Sequence, residues 1–111
     1  MILHITTREQ WPAAEVAPLP GEDFVHCSDP GTVHLPATRL FAGRTDLLLL
    51  EIDPARLGVP LRWEAGAPPI PGGPWFPHVY GPIPAAAVVA VHEFPPGPDG
   101  AFDLPPSLAL R

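Results

Sequence analysis

Three short segments hold the side chains best suited to chemistry: Leu3-His4-Ile5-Thr6-Thr7, Phe24-Val25-His26-Cys27-Ser28-Asp29 and Phe76-Pro77-His78-Val79-Tyr80-Gly81. Each sets an imidazole among apolar or small residues. An imidazole titrates near neutral pH and can hydrogen-bond through either ring nitrogen, so it serves proton transfer and polar ligand binding alike. The first two segments alternate as strands do. His4 shares a face with Ile2 and Thr6, with Leu3 and Ile5 opposite; His26 shares a face with Phe24 and Ser28, with Val25 and Cys27 opposite. A period of two therefore predicts each ring on the face away from the core. A lone histidine on a strand is more often a hydrogen-bonded structural residue. What raises this pair is a hydroxyl two residues on, Thr6 and Ser28, which suits a ligand rich in hydroxyls and phosphates. His4, His26 and His78 are thus expected to converge on one cleft, with His34 and His92 elsewhere.

Other chemistries find less support. There is no Cys-x-x-Cys or His-x-x-x-His pair, and the adjacent His26 and Cys27 point opposite ways on a strand, so no metal is expected. Cys27 reads as a small core residue rather than a nucleophile. The glycine-rich signatures of the common nucleotide folds are missing.

A chain of 111 residues is long enough for one core. With 46% hydrophobic and 16% charged residues it is globular rather than disordered. The net charge of −6 argues against RNA or any large polyanion as partner. Basic residues are all arginine, and Arg8, Arg39 and Arg44 lie near the candidate segments in sequence, where a forked guanidinium could hold phosphate. No stretch approaches the roughly 20 apolar residues of a membrane span. The start lacks a signal-peptide pattern, and a single cysteine fits a reducing compartment, so the expected location is the cytoplasm.

The elements that must position these residues follow from local signals. Thr7 and Gln10 form a capping-box pattern, predicting a short helix over 8–17. Asp29-Pro30 starts a second helix that runs to about Ala42, bent or broken by Pro36 and closed by Gly43. Residues 46–52 read as a central strand buried on both faces, 53–58 as a capped turn, 60–64 and 88–94 as strands. The proline-rich loop 65–75 reads equally well as a lid or a plain surface connection. Residues 95–111 are expected to be a draped, dispensable tail. The fold class is α+β, a single domain of about five strands and two helices.

The order of segments resembles that of a bacterial family, the DUF952 proteins, over residues 1–94. The likeness lies in Ile2-Leu3-His4-Ile5-Thr6, Phe24-Val25-His26-Cys27-Ser28, Gly43-Arg44-Thr45-Asp46 leading into Leu49-Leu50-Glu51-Ile52-Asp53, and Phe76-Pro77-His78-Val79-Tyr80-Gly81-Pro82-Ile83. That resemblance implies an ADP-ribosyltransferase-like fold, a split antiparallel sheet binding NAD between its halves. Segments of NAD-dependent RNA 2′-phosphotransferases are more distantly similar to Leu3-His4-Ile5-Thr6, to Val25-His26-Cys27-Ser28-Asp29 and to Gly43-Arg44. On that likeness His4 would bond the nicotinamide ribose, His26 would brace the nicotinamide, and His78 would stand in the third, variable position. Those three are the implied catalytic residues. Thr6, Arg8, Ser28, Arg44 and Tyr80 join His4 and His26 as cofactor-binding candidates. Two departures stand out: Ile5 replaces a glycine of the transferases, and Glu22 and Asp23 occupy positions that are basic in the RNA enzymes.

Three readings of function remain open. One is a domain that binds NAD or an ADP-ribose-type nucleotide and transfers ADP-ribose to a small-molecule or protein acceptor. Another is a non-enzymatic binding module with a degenerate transferase cleft. The last is an interaction domain whose histidines only support structure.

Overall fold

The central strand is where the sequence signal is strongest, and the chain is built around it. In the computed structural model, which describes residues 1–66 and 68–109, six consecutive residues Leu47–Ile52 form β4, every one of them buried. Its neighbours are β1 (Ile2–Thr7) and β8 (Val88–Glu93), both antiparallel, in the order β1-β4-β8. A second three-stranded sheet sets β3 (Val25–His26) beside β6 (Trp75–Val79) and β6 beside β5 (Leu61–Ala65), again antiparallel. A small pair, β2 (Glu15–Val16) with β7 (Ile83–Pro84), completes the strands among the described residues. The two larger sheets meet at one bridge, where Leu3 and Ser28 exchange both backbone hydrogen bonds (2.8 and 2.7 Å).

Both faces of the β1-β4-β8 sheet are covered. Ile2, Leu50 and Ile52 pack with Val25, Cys27, Val79 and Ile83 on one side. On the other, Leu3, Leu47 and Leu49 pack with Val33 and Ala37, and with Phe94, Phe102 and Leu108 from the C-terminal part of the chain. Helix α1 (His34–Phe41) supplies Ala37 to this second layer, and Leu108 lies in the single turn α2 (Pro106–Ala109).

Three expectations change. The helix over 8–17 does not form: Gln10 N–H does reach Thr7 Oγ1 (3.3 Å), but only a turn follows, and Glu15–Val16 pair with Pro84 and Ile83 instead. Pro12 is the cause, since it disfavours helical backbone at Trp11 and brings no N–H of its own. The second helix begins at His34, after turns in which the Asp29 carboxylate accepts from Gly31 N–H (2.9 Å) and the Thr32 hydroxyl (3.0 Å). Pro36 then falls in the first turn, where its missing N–H costs nothing. Gly43 ends the helix as expected, at φ +85°. The segment 95–109 is docked rather than draped: Phe102 and Leu108 are core residues, and only Leu110 and Arg111 of the expected tail lie outside the described residues.

Residues 66–74 connect β5 to β6, with Ile70 exposed and a turn closed by Gly73 N–H to the Ile70 carbonyl (2.8 Å). Of this loop, Ala67 lies outside the described residues.

Candidate functional site

Register decides which side chains share a face. His26 is paired with His78, and His78 with Arg62, so these three stand on one side of the β3-β6-β5 sheet. Phe24 and Tyr80 extend the same row by period two. Val25, Cys27 and Val79 point the other way, into the core.

The rings on this face form one cluster. Phe24 stacks on His78 with centroids 4.0 Å apart and planes 17° apart, and it touches His26 (4.7 Å) and Tyr80 (5.2 Å). His26 meets His78 edge-on at 5.6 Å. The Arg62 guanidinium lies 4.9 Å from the centre of the Tyr80 ring, a cation–π arrangement.

Two carboxylates fix the rings. Glu64 accepts from the Tyr80 hydroxyl (2.5 Å) and pairs with His78 Nδ1 (2.9 Å). These two contacts, the tyrosine's first, hold the Glu64 carboxyl below its ordinary range, and the same bond raises the Tyr80 phenol. Glu22 meets His26 Nε2 at 2.5 Å, with both side chains well exposed. The face is therefore rich in imidazole and carboxylate, with Arg62 as its cation.

His4 reaches the group differently. After the Leu3–Ser28 bridge β1 and β3 separate, and the next link between them is His4 Nδ1–H donating to the His26 carbonyl at 2.7 Å. The ring stands on the face of β1 that bears Ile2, opposite Leu50. The expectation that this face is turned from the core fails, because β1 is buried on both sides: Ile2 is 2% and Leu3 1% exposed. Burial lowers the His4 pKa, as does the nearby His26, while the bond to the carbonyl opposes them. The ring is half-buried and, among the described residues, touches none of the four rings of the cluster. No buried side-chain nitrogen or oxygen among the described residues lacks a hydrogen-bond partner. Nε2 of His4 and of His78 have none, so neither atom is fully buried, although His78 as a whole is only 4% exposed.

The remaining expected residues lie apart. Thr6 is buried and its hydroxyl bonds Gln10 (3.3 Å); Ser28 is buried in the inter-sheet bridge. Arg8 and Arg44 are gathered at the far end of β1, around Asp46 and Glu93: Arg44 grips Asp46 (2.9 and 2.6 Å), and Arg8 pairs with Glu93 (2.9 Å). Arg8 is four extended steps along the chain from His4, about 13 Å of strand, which is why closeness in sequence does not bring it to the site. His34 is exposed on α1, and His92 is buried against Glu51 and Ser107. Sequence reasoning missed Glu22 and Arg62 as partners, and it missed that Glu64 holds both His78 and Tyr80. A carboxylate four residues before His26 was a readable signal for Glu22; Glu64 and Arg62 needed the β5–β6 register.

Cys27 is buried, and burial pushes its thiol up to about 12, the behaviour of a core residue rather than a nucleophile. No group of three or more histidine, cysteine or acidic side chains among the described residues could hold a metal ion. No helix among them is long and apolar enough to cross a membrane.

The family described as protein of unknown function DUF952 matches residues 5–91, which runs from the second half of β1 through most of β8 and takes in all of the ring cluster. The chain belongs to the DUF952 family. It is similar to the crystal structure of protein CC0527 from Caulobacter crescentus, at 30% identity and a TM-score of 0.79, covering 97% of each chain. The solution structure of the same protein gives 27% identity and a TM-score of 0.73, over 99% of this chain and 97% of that one. No curated protein matches. This DUF952 chain is α+β, with antiparallel sheets and two short helices among the described residues, and the TM-scores give those neighbours a similar overall fold.

Proposed function

We propose that the ring-bearing face of the β3-β6-β5 sheet binds the nicotinamide-ribose end of NAD, within an ADP-ribosyltransferase-like fold, and that the protein transfers ADP-ribose to a small-molecule or protein acceptor. The observation that carries the reading is the cluster of Phe24, His26, His78 and Tyr80 flanked by the carboxylates of Glu22 and Glu64. The nicotinamide ring of NAD is flat and positively charged. Aromatic rings and carboxylates attract such a ring, whereas they repel a polyanion such as RNA.

His4 suits the ribose. With Nδ1–H given to the His26 carbonyl and the ring kept neutral by burial, Nε2 is an acceptor for a ribose hydroxyl. In His78, Nδ1 is held by Glu64, so Nε2 is likewise a lone pair able to take a proton. Transfer would break the bond between nicotinamide nitrogen and ribose C1′, releasing neutral nicotinamide. The acceptor oxygen or nitrogen would bond C1′ as its proton passes to His78. Arg62 replaces Arg8 and Arg44 as the candidate phosphate contact, since those two are held by Glu93 and Asp46.

A binding module without transfer is the second reading, favoured by Glu64, whose carboxylate is occupied by two donors. The test is thermal denaturation with NAD, ADP-ribose or nicotinamide, followed by assay for released nicotinamide. A ligand at 100 times its dissociation constant adds about 2.7 kcal/mol, a rise on the order of 10 °C for a domain of this size. No shift with any of the three at millimolar concentration refutes the nucleotide reading. A shift without nicotinamide release selects the binding module.

A further inference from the structure

On the opposite side of the molecule lies a second constellation. Ser107 Oγ is 2.7 Å from His92 Nδ1, and His92 Nε2 is 2.9 Å from Glu51 Oε1. Glu51 is 1% and His92 7% exposed, while Ser107 is exposed. The sheet explains the pairing: Glu51 on β4 stands opposite Ala90 and Leu49 opposite His92, so the two side chains share the face on which the C-terminal segment docks. That segment carries Phe102 and Leu108 into the core and so sets Ser107 over the imidazole.

The chain that follows His92 and the chain that precedes Ser107 together form a cleft of about 310 Å³, lined by Glu93, Pro95, Pro96, Leu104, Pro105 and Pro106. Its wall includes the residue after His92 and the two residues before Ser107. Carbon dominates the lining, through prolines and Leu104, with carboxylates at Glu93 and Asp103.

We propose that Ser107, His92 and Glu51 form an acyl-transfer site that cleaves neutral or cationic carboxylic esters with a small apolar acyl group held in this cleft. The three side chains are the types, in the order, of a serine nucleophile, its base and the acid that orients the base. The ring nitrogens exchange places relative to the usual serine hydrolase, since Nδ1 faces the hydroxyl, but either imidazole nitrogen can take the proton. Ser107 Oγ bonds the ester carbonyl carbon as its proton moves to His92 Nδ1. The C–O bond to the alcohol then breaks, and His92 returns the proton to the departing alkoxide. Water repeats the sequence on the acyl-serine, giving carboxylic acid and free Ser107. Glu51 is a positioning residue: it acts only by holding the imidazole. The carboxylates at the rim disfavour anionic esters.

The test uses the full chain and a fluorophosphonate probe, with the modified residue located by peptide mass spectrometry and p-nitrophenyl butyrate turnover measured in parallel. The expected result is modification at Ser107, at least about 100-fold faster in the native chain than in the same chain in denaturing urea, the usual scale for a positioned base. Ser107→Ala, an exposed change, should abolish labelling and turnover while leaving the fold intact, and His92→Gln should slow both by a similar factor. The native-against-urea ratio makes the result independent of whether His92→Gln folds. Absence of modification, modification elsewhere, or equal rates in the native and unfolded chains overturns the proposal.

Discussion

Phe102 sits in a stretch that composition marks as expendable, yet it is 2% exposed and packs on Phe94 with ring centroids 5.2 Å apart. Phe94 is fully buried in the layer formed by Leu3, Leu47, Leu49 and Val33. Replacing Phe102 with alanine removes the ring from that layer and leaves a cavity beside Phe94. Burial of this completeness puts the loss at about 3–5 kcal/mol. A domain of this size has a total stability on the order of 5–15 kcal/mol, so the single change removes a large part of it. Deleting residues 95–111 goes further, since Leu108 is lost with the ring. A buried leucine is worth about 2–5 kcal/mol, and the apolar face of Leu47 and Leu49 is left open to water. The truncated chain should therefore have no cooperative transition at all. Urea titration followed by tryptophan fluorescence and near-ultraviolet circular dichroism reads both effects. A truncated chain that unfolds cooperatively, or a Phe102→Ala midpoint displaced by less than about 1 kcal/mol, would refute the docking of this segment.

The other predictions concern single sites. Because burial lowers the His4 pKa in the folded chain, its contribution to stability is full above about 6.5, the unfolded value, and is lost as pH falls below it; replacing His4 with glutamine should flatten stability between pH 7 and 5, and an unchanged slope counts against the buried neutral ring. Gly81 has φ +145°, and a Cβ there would meet Val59 Cγ1 at 2.9 Å, so Gly81→Ala should cost about 1–3 kcal/mol by denaturant titration. With its thiol pushed up to about 12 and buried, Cys27 should resist iodoacetamide in the native state and react at the rate of global unfolding. Fast alkylation of folded protein would place Cys27 outside the core.

Period and punctuation made the central strand, the turn at Pro54, the end of α1 at Gly43 and the strand Val88–Glu93 legible. Each is signalled locally, by an apolar run, an Asp-Pro pair or a glycine. What could not be read depends on partners distant in sequence. Trp75–Val79 is a strand between β3 and β5 despite Pro77, whose carbonyl still accepts from Cys27 N–H at 3.1 Å. Proline lacks only the donor, so it survives in a strand where the ladder uses its acceptor. Glu15–Val16 is a strand because Ile83–Pro84 is there to receive it. The same limit holds for the ring cluster: alternation put Phe24 and His26 together, but Glu64 is brought to His78 and Tyr80 only by the β5–β6 register.

The histidine at the opening of the chain shows how one position can satisfy a structural need and leave a chemical group available. Where β1 and β3 part, the His26 carbonyl has no backbone donor from β1 to pair with. His4 supplies the donor from its side chain, through Nδ1. That bond fixes the tautomer and the ring plane, and burial keeps the ring neutral. The other nitrogen is left as a lone pair open to solvent. A side chain serving only the seam between the sheets could be any donor of similar reach, so asparagine or glutamine at position 4 separates the two roles. If stability near neutral pH survives such a change while nucleotide binding falls by about 1–3 kcal/mol, Nε2 is the functional atom. If stability and binding fall together, His4 belongs to the seam alone.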